Sequence, residues 1–337
     1  MIKTYIIGLM LFFIRGCGIG NDNVLGSLPK TPVNFKEINS KYDDYNSTAP
    51  TLGETFPLCF SSNRNSYGDN FDIIYKMITI SYTKDNGVLE VYENKNGSLN
   101  VVNSNRNLVQ ALGVVKTSAD EFGPYLIPAG GQVRDTGSGA NYTNMFFLLY
   151  ADNSQGDLDI KFTQNVTSNY YTQPQDISFL NSTSDDAYPT LNKDHTRIYF
   201  ASNRNGDYDI YTAMVDPVNN LVDYFTQSTD VPVEKVTNIS STGDDLCPFI
   251  TGDLMVFASN KEGGLGGYDL YYAKFENEQW TSPVNFGAPI NTPYDEFRPI
   301  IRHQDSMTND FMLFSSNRIG GLGGFDLYYV GIDKDLP

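Results

Sequence analysis

CFSSNR at 59–64, YFASNR at 199–204, VFASNK at 256–261 and LFSSNR at 313–318 are near-copies of one strand ending, and LYADNS at 149–154 is a degenerate fifth. Each copy is followed by a short, mostly Gly- or Asn-containing link. After it come an aromatic residue or Leu, an Asp and an aliphatic residue: Phe71-Asp72-Ile73, Leu158-Asp159-Ile160, Tyr208-Asp209-Ile210, Tyr268-Asp269-Leu270 and Phe325-Asp326-Leu327. Ahead of the strand stands an acidic pair with a proline: Asp120-Glu121 with Pro124, Asp185-Asp186 with Pro189, Asp244-Asp245 with Pro248, and Asp295-Glu296 with Pro299. The first copy has Asp43-Asp44, and its proline, Pro50, comes later. Self-similarity of this kind is the mark of a repeat architecture.

One copy reads directly as antiparallel sheet. Alternating runs such as RIYFAS (197–202) and DLYYAKF (269–275) suit strands with one face buried. The turn GGLGG at 263–267, repeated at 320–324, suits a strand reversal that needs positive φ. A unit of four strands cannot bury both faces alone, so successive units must stack, and stacked radially they form a propeller.

Closure is also written in the chain. TSPVNFGAPINTPYDEF (281–297) precedes the last copy, and KTPVNFKEINSKYDDY (30–45) precedes the first. The chain ends after the third strand of the fifth unit, so the N-terminal PVNF segment supplies the missing strand. A ring closed this way has no free sheet edge. The expectation is an all-β, five-bladed β-propeller of four-stranded antiparallel blades, closed by an N-terminal strand completing the last blade. Six blades are the alternative, because the step from Asp72 to Asp159 is longer than the later ones. NGVLEVYENKNGSLNVV (86–102) reads there as an inserted hairpin and AGGQVRDTGSGANYTN (129–144) as a long polar loop.

Composition agrees. The 337 residues are 40% hydrophobic and 13% aromatic, with 23 Tyr, 21 Phe and one Trp, which suits β structure rather than disorder. The net charge of −17 disfavours nucleic acid, whose phosphates need clustered Lys and Arg. Residues 1–16 read as a signal peptide: Lys3 gives a basic start, and the apolar run Thr4 to Ile14 is too short to span a membrane. The run ends in IRGC, which resembles a bacterial lipoprotein signal with Cys17 lipidated, although Arg15 departs from the usual small residue. Residues 17–29 would be the lipidated cysteine and linker, and 30–337 the propeller. Gly18 leaves no inner-membrane retention aspartate, which favours the outer membrane, on either its periplasmic or its surface side. Cys59 and Cys247 read as buried free thiols.

The pattern D-[DE]-x-x-P, F-[AS]-S-N-R and G-G-x-G-G-[FY]-D-L-Y resembles the WD40-like repeat of TolB-type β-propellers. The version it is similar to occurs in lipoproteins and OmpA-linked proteins of the Bacteroidota cell envelope. The resemblance covers residues 30–337; repeats 3 to 5 match best, and the second departs with Tyr150-Ala151-Asp152-Asn153. It implies an envelope platform for protein–protein interaction, often a subunit of outer-membrane machinery, and not an enzyme.

Asp72, Asp159, Asp209, Asp269 and Asp326 could ring a funnel as acids do in propeller glycosidases. Glycoside hydrolysis needs two carboxylates in unequal environments, however, and five equivalent copies read as structural. DNSQGDLD (152–159) and NRNGDYD (203–209) have calcium-like spacing without a completed loop. Two scattered histidines, His195 and His303, do not make a zinc site, and no nucleophile elbow, P-loop or dinucleotide fingerprint is present. Recognition is expected on the loops that break the symmetry, 84–118 and 128–144 with Tyr142, and on Tyr170, Tyr171, Tyr224 and Phe225 in inter-strand links. The function expected is therefore a non-catalytic outer-membrane lipoprotein scaffold or accessory subunit, without cofactor or metal. Its partners would be an outer-membrane β-barrel or other envelope proteins, with the membrane reached through its lipid. The alternative is a surface propeller lipoprotein that binds or cleaves glycans.

Overall fold

The computed structural model describes residues 25–49, 55–83, 87–94, 108–134, 142–167, 170–216 and 221–336. The signal peptide and Cys17 lie outside them. After β1 (Val33–Asn34), the first blade comprises β2 (Asp44–Thr48), β3 (Thr55–Ser62), β4 (Asp72–Thr83) and β5 (Val88–Glu93). The second comprises β6 (Glu121–Arg134), β7 (Tyr142–Asp152) and β8 (Asp159–Thr167), with short β9 (Tyr170–Tyr171) and β10 (Gln175–Asp176) both paired to β8. The third is β11 (Asp186–Leu191), β12 (Arg197–Ser202), β13 (Asp209–Met214) and β14 (Val233–Lys235). The fourth is β15 (Asp245–Thr251), β16 (Leu254–Ser259) and β17 (Asp269–Glu276), with β18 (Gln279–Trp280) and β19 (Val284–Asn285) on β17. The fifth is β20 (Glu296–Arg302), β21 (Asp310–Ser316) and β22 (Asp326–Ile332), and its outer position is filled by β1. Among the described residues there are thus five sheets, one per sequence copy, and none of the described helices is long and apolar enough to cross a membrane.

The closing strand repeats the chemistry of its counterpart in the fourth blade. Val33 and Asn34 pair with Tyr329 and Tyr328, as Val284 and Asn285 pair with Tyr272 and Tyr271. Asn34 donates to Asp326 at 2.8 Å and Asn285 to Asp269 at 2.8 Å. The IN motif follows suit: Asn39 accepts from the Leu327 amide, and Asn291 from the Leu270 amide, each at 2.8 Å.

Each inner strand carries a bulge at its third residue. Asn46, Gly123, Tyr188, Cys247 and Arg298 have φ of 54°, 59°, 59°, 56° and 47°, and the register of each strand shifts immediately after. Pro124, Pro189, Pro248 and Pro299 follow directly, at a point where the ladder is already interrupted and a missing N–H costs little. The first blade has Ser47 there instead.

Two expectations about the first two blades are corrected. Residues 88–93 form the outer strand of blade 1, not an inserted hairpin. Residues 108–115 are helical and bury Leu108, Ala111 and Val115 against Cys59, Ile73 and Tyr150. The segment around 129–144 lengthens the β6–β7 hairpin, whose register runs out to Arg134 and Tyr142; the side chain of Tyr142 lies outside the described residues. Tyr224 and Phe225 lie on a helix, Leu221–Gln227, where Phe225 packs on Phe147, Phe162 and Phe179.

Candidate functional site

The repeated residues build one network five times over. The first acid of each pair accepts a hydrogen bond from the main-chain N–H of the residue preceding the repeated Asp of the previous blade. These are Asp43 from Phe325 (2.7 Å), Asp120 from Phe71 (2.9 Å), Asp185 from Leu158 (2.9 Å), Asp244 from Tyr208 (3.0 Å) and Asp295 from Tyr268 (3.0 Å). The amide of the second acid donates back to the same residue's carbonyl, as from Asp44 to Phe325 and from Glu121 to Phe71, both at 2.8 Å. Every blade is clamped to the next by this pair of bonds.

The second acid turns inward and is fully buried in all five blades. Asp44 is held by Ser62 (2.6 Å) and Arg64, Asp186 by Arg204 (2.6 Å), and Glu296 by Ser316 and Arg318 (both 2.9 Å). In blades 1, 3 and 5 the arginine of the strand ending neutralises this acid; in blade 4, where Lys261 takes its place, one Asp245 oxygen has no partner among the described residues. In register, a serine stands between two acids: Asp44–Ser62–Asp72, Asp186–Ser202–Asp209, Asp245–Ser259–Asp269 and Glu296–Ser316–Asp326.

Blade 2 breaks this rule. Asp152 replaces the serine and Ser154 the arginine, so the register reads Glu121–Asp152–Asp159, three carboxyls in a row. Asp152 is paired with Lys161 at 3.1 Å and accepts from the Ser154 hydroxyl at 2.5 Å. Glu121 accepts from the Thr117 amide and hydroxyl, but among the described residues it faces no cation and its second oxygen has no partner. Burial, with Asp72 and Asp152 adding to it, pushes Glu121 up to about 7. Asp159, half-buried, is pushed up to about 6 by burial and then by Asp157 and Asp176. Glu121 and Asp152 are sealed from solvent, so Asp159 is the member of the row that a ligand can reach.

The five repeated aspartates are therefore not equivalent. Asp72 pairs with Lys116, Asp209 with Lys235 (2.5 Å), and Asp269 and Asp326 accept main-chain N–H bonds from the GGLGG turns. Among the described residues, nothing donates a hydrogen bond to the Asp159 side chain. Nor do three or more His, Cys, Asp or Glu side chains anywhere among the described residues converge as metal ligands.

Both ends of the acidic row adjoin an aromatic rosette that closes the axis on this face. Phe122 follows Glu121 and Leu158 precedes Asp159. Tyr45 lies in the middle, its ring 5.3 Å from Phe325, 5.9 Å from Phe71 and Phe297 and 6.1 Å from Phe122, its hydroxyl 3.4 Å from that of Tyr188. The Tyr268 ring lies tilted against Phe297 at 4.4 Å, and its hydroxyl donates to Asp244 as that of Tyr208 does to Asp185, each at 2.7 Å. Most of these rings are half-buried.

Of the residues expected to bind, Tyr170 is 58% exposed, whereas Tyr171 is buried beside Tyr150 and belongs to the core. The opposite face holds a cavity of about 500 Å³ between blades 4 and 5, where His303 lies 2.9 Å from both Asp305 and Asp310. The acidic row had one visible trace in the sequence: LYADNS differs from its sister copies by an acid where they have serine.

No described protein family matches the chain, and no curated protein matches it. Solved structures share its fold. One described as a glycoside hydrolase superposes with a TM-score of 0.50 at 8% identity, covering 93% of this chain and 94% of that one. Another, described as an RGII complex, gives 0.52 at 8% identity, over 94% and 95%. An α-L-arabinofuranosidase from Podospora anserina gives 0.48 at 9% identity, over 91% and 96%. At such identities the likeness is one of fold. The assignment to TolB-type, WD40-like envelope proteins is corrected accordingly: no family match supports TolB, and a structure that shares the fold at a TM-score of 0.50 is described as a glycoside hydrolase. The non-catalytic, protein-interaction reading is corrected with it, because it rested on five equivalent acids and blade 2 does not have them.

Proposed function

We propose that this chain is a carbohydrate-active propeller that holds a glycan against the aromatic rosette and cleaves a glycosidic bond at the edge of blade 2. The observation that carries the reading is the row Glu121–Asp152–Asp159, which leaves Asp159 without the local partners its four counterparts have. A carboxyl raised to about 6 is a proton donor matched to mildly acidic or neutral conditions, as protonation of a leaving glycosidic oxygen requires. Asp176, exposed and 3.5 Å from Lys161, supplies the second carboxyl, in an environment unlike that of Asp159, as the chemistry needs. Half-buried rings offer flat apolar faces to the C–H faces of sugars, and the clamp acids around them offer hydrogen-bond acceptors. The similar fold of a glycoside hydrolase supports the same class of activity. In this reading the Cys17 lipid would hold the propeller at the outer membrane.

The test is release of reducing ends from a panel of plant and bacterial polysaccharides, with aryl glycosides alongside. Asp159→Asn should lower kcat by roughly 10²–10⁴-fold with little change in binding. The protein should retain polysaccharide on affinity gels. Neither release nor retention on any member of the panel would overturn the proposal.

A further inference from the structure

We infer that the propeller axis holds a small monovalent anion of the halide class, bound by Arg298. This does not rest on the glycosidase reading. Arg298 occupies the bulged, positive-φ position of β20 and has no exposed surface. Its side chain reaches across the axis. Cζ lies 5.7 Å over the ring of Tyr188 in blade 3, and Nη2 is 3.4 Å from the carbonyls of Gly123 and Pro124 in blade 2. Nε and Nη1 have no partner among the described residues.

The contrast with the other arginines of the fold is informative. Arg64, Arg204 and Arg318 each meet a buried carboxylate. The titratable groups that act on Arg298 include Cys247, Tyr188, Tyr125 and Tyr45, and none of these is a carboxylate. Burial pushes the Cys247 thiol and the Tyr45 hydroxyl up to about 12, so neither supplies a negative charge near neutral pH. A guanidinium does not escape by losing its proton, and an unpaired buried ion costs several kcal/mol. A counter-charge from solution resolves this.

The neighbouring blade offers further buried polar groups. Asn46 holds the equivalent position in blade 1, and among the described residues no hydrogen bond of normal geometry uses its Nδ2, Ser47 Oγ or Thr48 Oγ1. Arg302, on the same strand, lies over the ring of Phe249 at 4.8 Å and donates Nε to the Ala49 carbonyl at 2.5 Å, adding a second positive charge near the axis. Arg298 and Asn46 have no exposed surface and the five inner strands enclose the axis, which selects a monatomic ion over sulfate, phosphate or an organic acid.

Crystals of the wild-type protein soaked in sodium bromide, measured at the bromine edge, test this directly. The expected result is one anomalous peak within about 3.5 Å of Arg298 Nε or Nη1. Density at that position without an anomalous signal, as from water alone, overturns the inference. In solution the melting temperature should rise by roughly 2–5 °C between low and 100 mM chloride at an ionic strength fixed with gluconate. The same rise persisting in Arg298→Gln would also overturn it; the bromide measurement stands whether or not that variant folds.

Discussion

Asp152 stands directly opposite Glu121 in the second blade, where the other four blades place a serine opposite the buried acid. One serine-to-carboxylate replacement converts a neutralised structural acid into an acid without a cation, and it sets the next strand's Asp159 opposite a carboxyl instead of a serine. The paired change at Ser154 removes the arginine that would have compensated.

Restoring the consensus should reverse both effects. In Asp152→Ser combined with Ser154→Arg, Glu121 gains the contacts that Glu296 has with Ser316 and Arg318. Stability should rise by about 1–2 kcal/mol in urea unfolding, while any glycoside cleavage falls to the level of Asp159→Asn. A double variant that is fully active would show that the acidic row is not the catalytic centre.

Stability should depend on pH through Glu121. Its folded value lies near 7, above an ordinary 4.5, so the native state binds the extra proton between those values. The stabilisation is whole below about 4.5 and disappears as pH rises through 7. Melting curves should therefore fall across that window, and Glu121→Gln should flatten the fall by about 1 kcal/mol once solvent screening is allowed for. An unchanged slope in the variant would place the titration elsewhere.

The blade count and the ring closure were legible in the sequence because each depends on a repeated word: PVNF twice, the acidic pair in every copy, and SNR or SNK in four of the five. The outer strand of blade 1 was not, since VLEVYE does not repeat the PVNF word and reads as an inserted hairpin until β4 is seen to pair with it. The acidic row was half legible. LYADNS is visibly aberrant, but what the aberration does depends on three strands in register and on the cation that is missing, and neither lies along the chain. Arg298 gave no signal, because DEFRP resembles the other acidic-pair segments, and which side chain crosses the axis is decided by the five bulges together.

Closure by β1 should carry measurable stability. Asn34→Ala removes the bond to Asp326 and the one that Asn34 accepts from Asn39 at 3.1 Å. The loss should be about 1–2 kcal/mol, and removal of residues 25–39 should cost far more by exposing the edge of β22 and the buried face under Phe35. Urea titration of both variants checks the order; equal stability in the truncated chain would mean that the ring does not depend on its N-terminal strand.

Tyr45 separates packing from hydrogen bonding at the axis. Its ring touches residues of blades 1, 2 and 5, and its hydroxyl approaches Tyr188 of blade 3 at only 3.4 Å, a long and weak contact. Tyr45→Phe should therefore change stability by less than about 1 kcal/mol. Tyr45→Ala opens a void that the clamped blades cannot collapse to fill, because the main-chain bonds between neighbouring blades fix the positions of Phe71 and Phe325. The expected loss is about 3–5 kcal/mol. Glycan retention should follow the same order, kept in Tyr45→Phe and lost in Tyr45→Ala, since a sugar face is held by the ring. Retention that vanishes already in Tyr45→Phe would assign recognition to the hydroxyl instead.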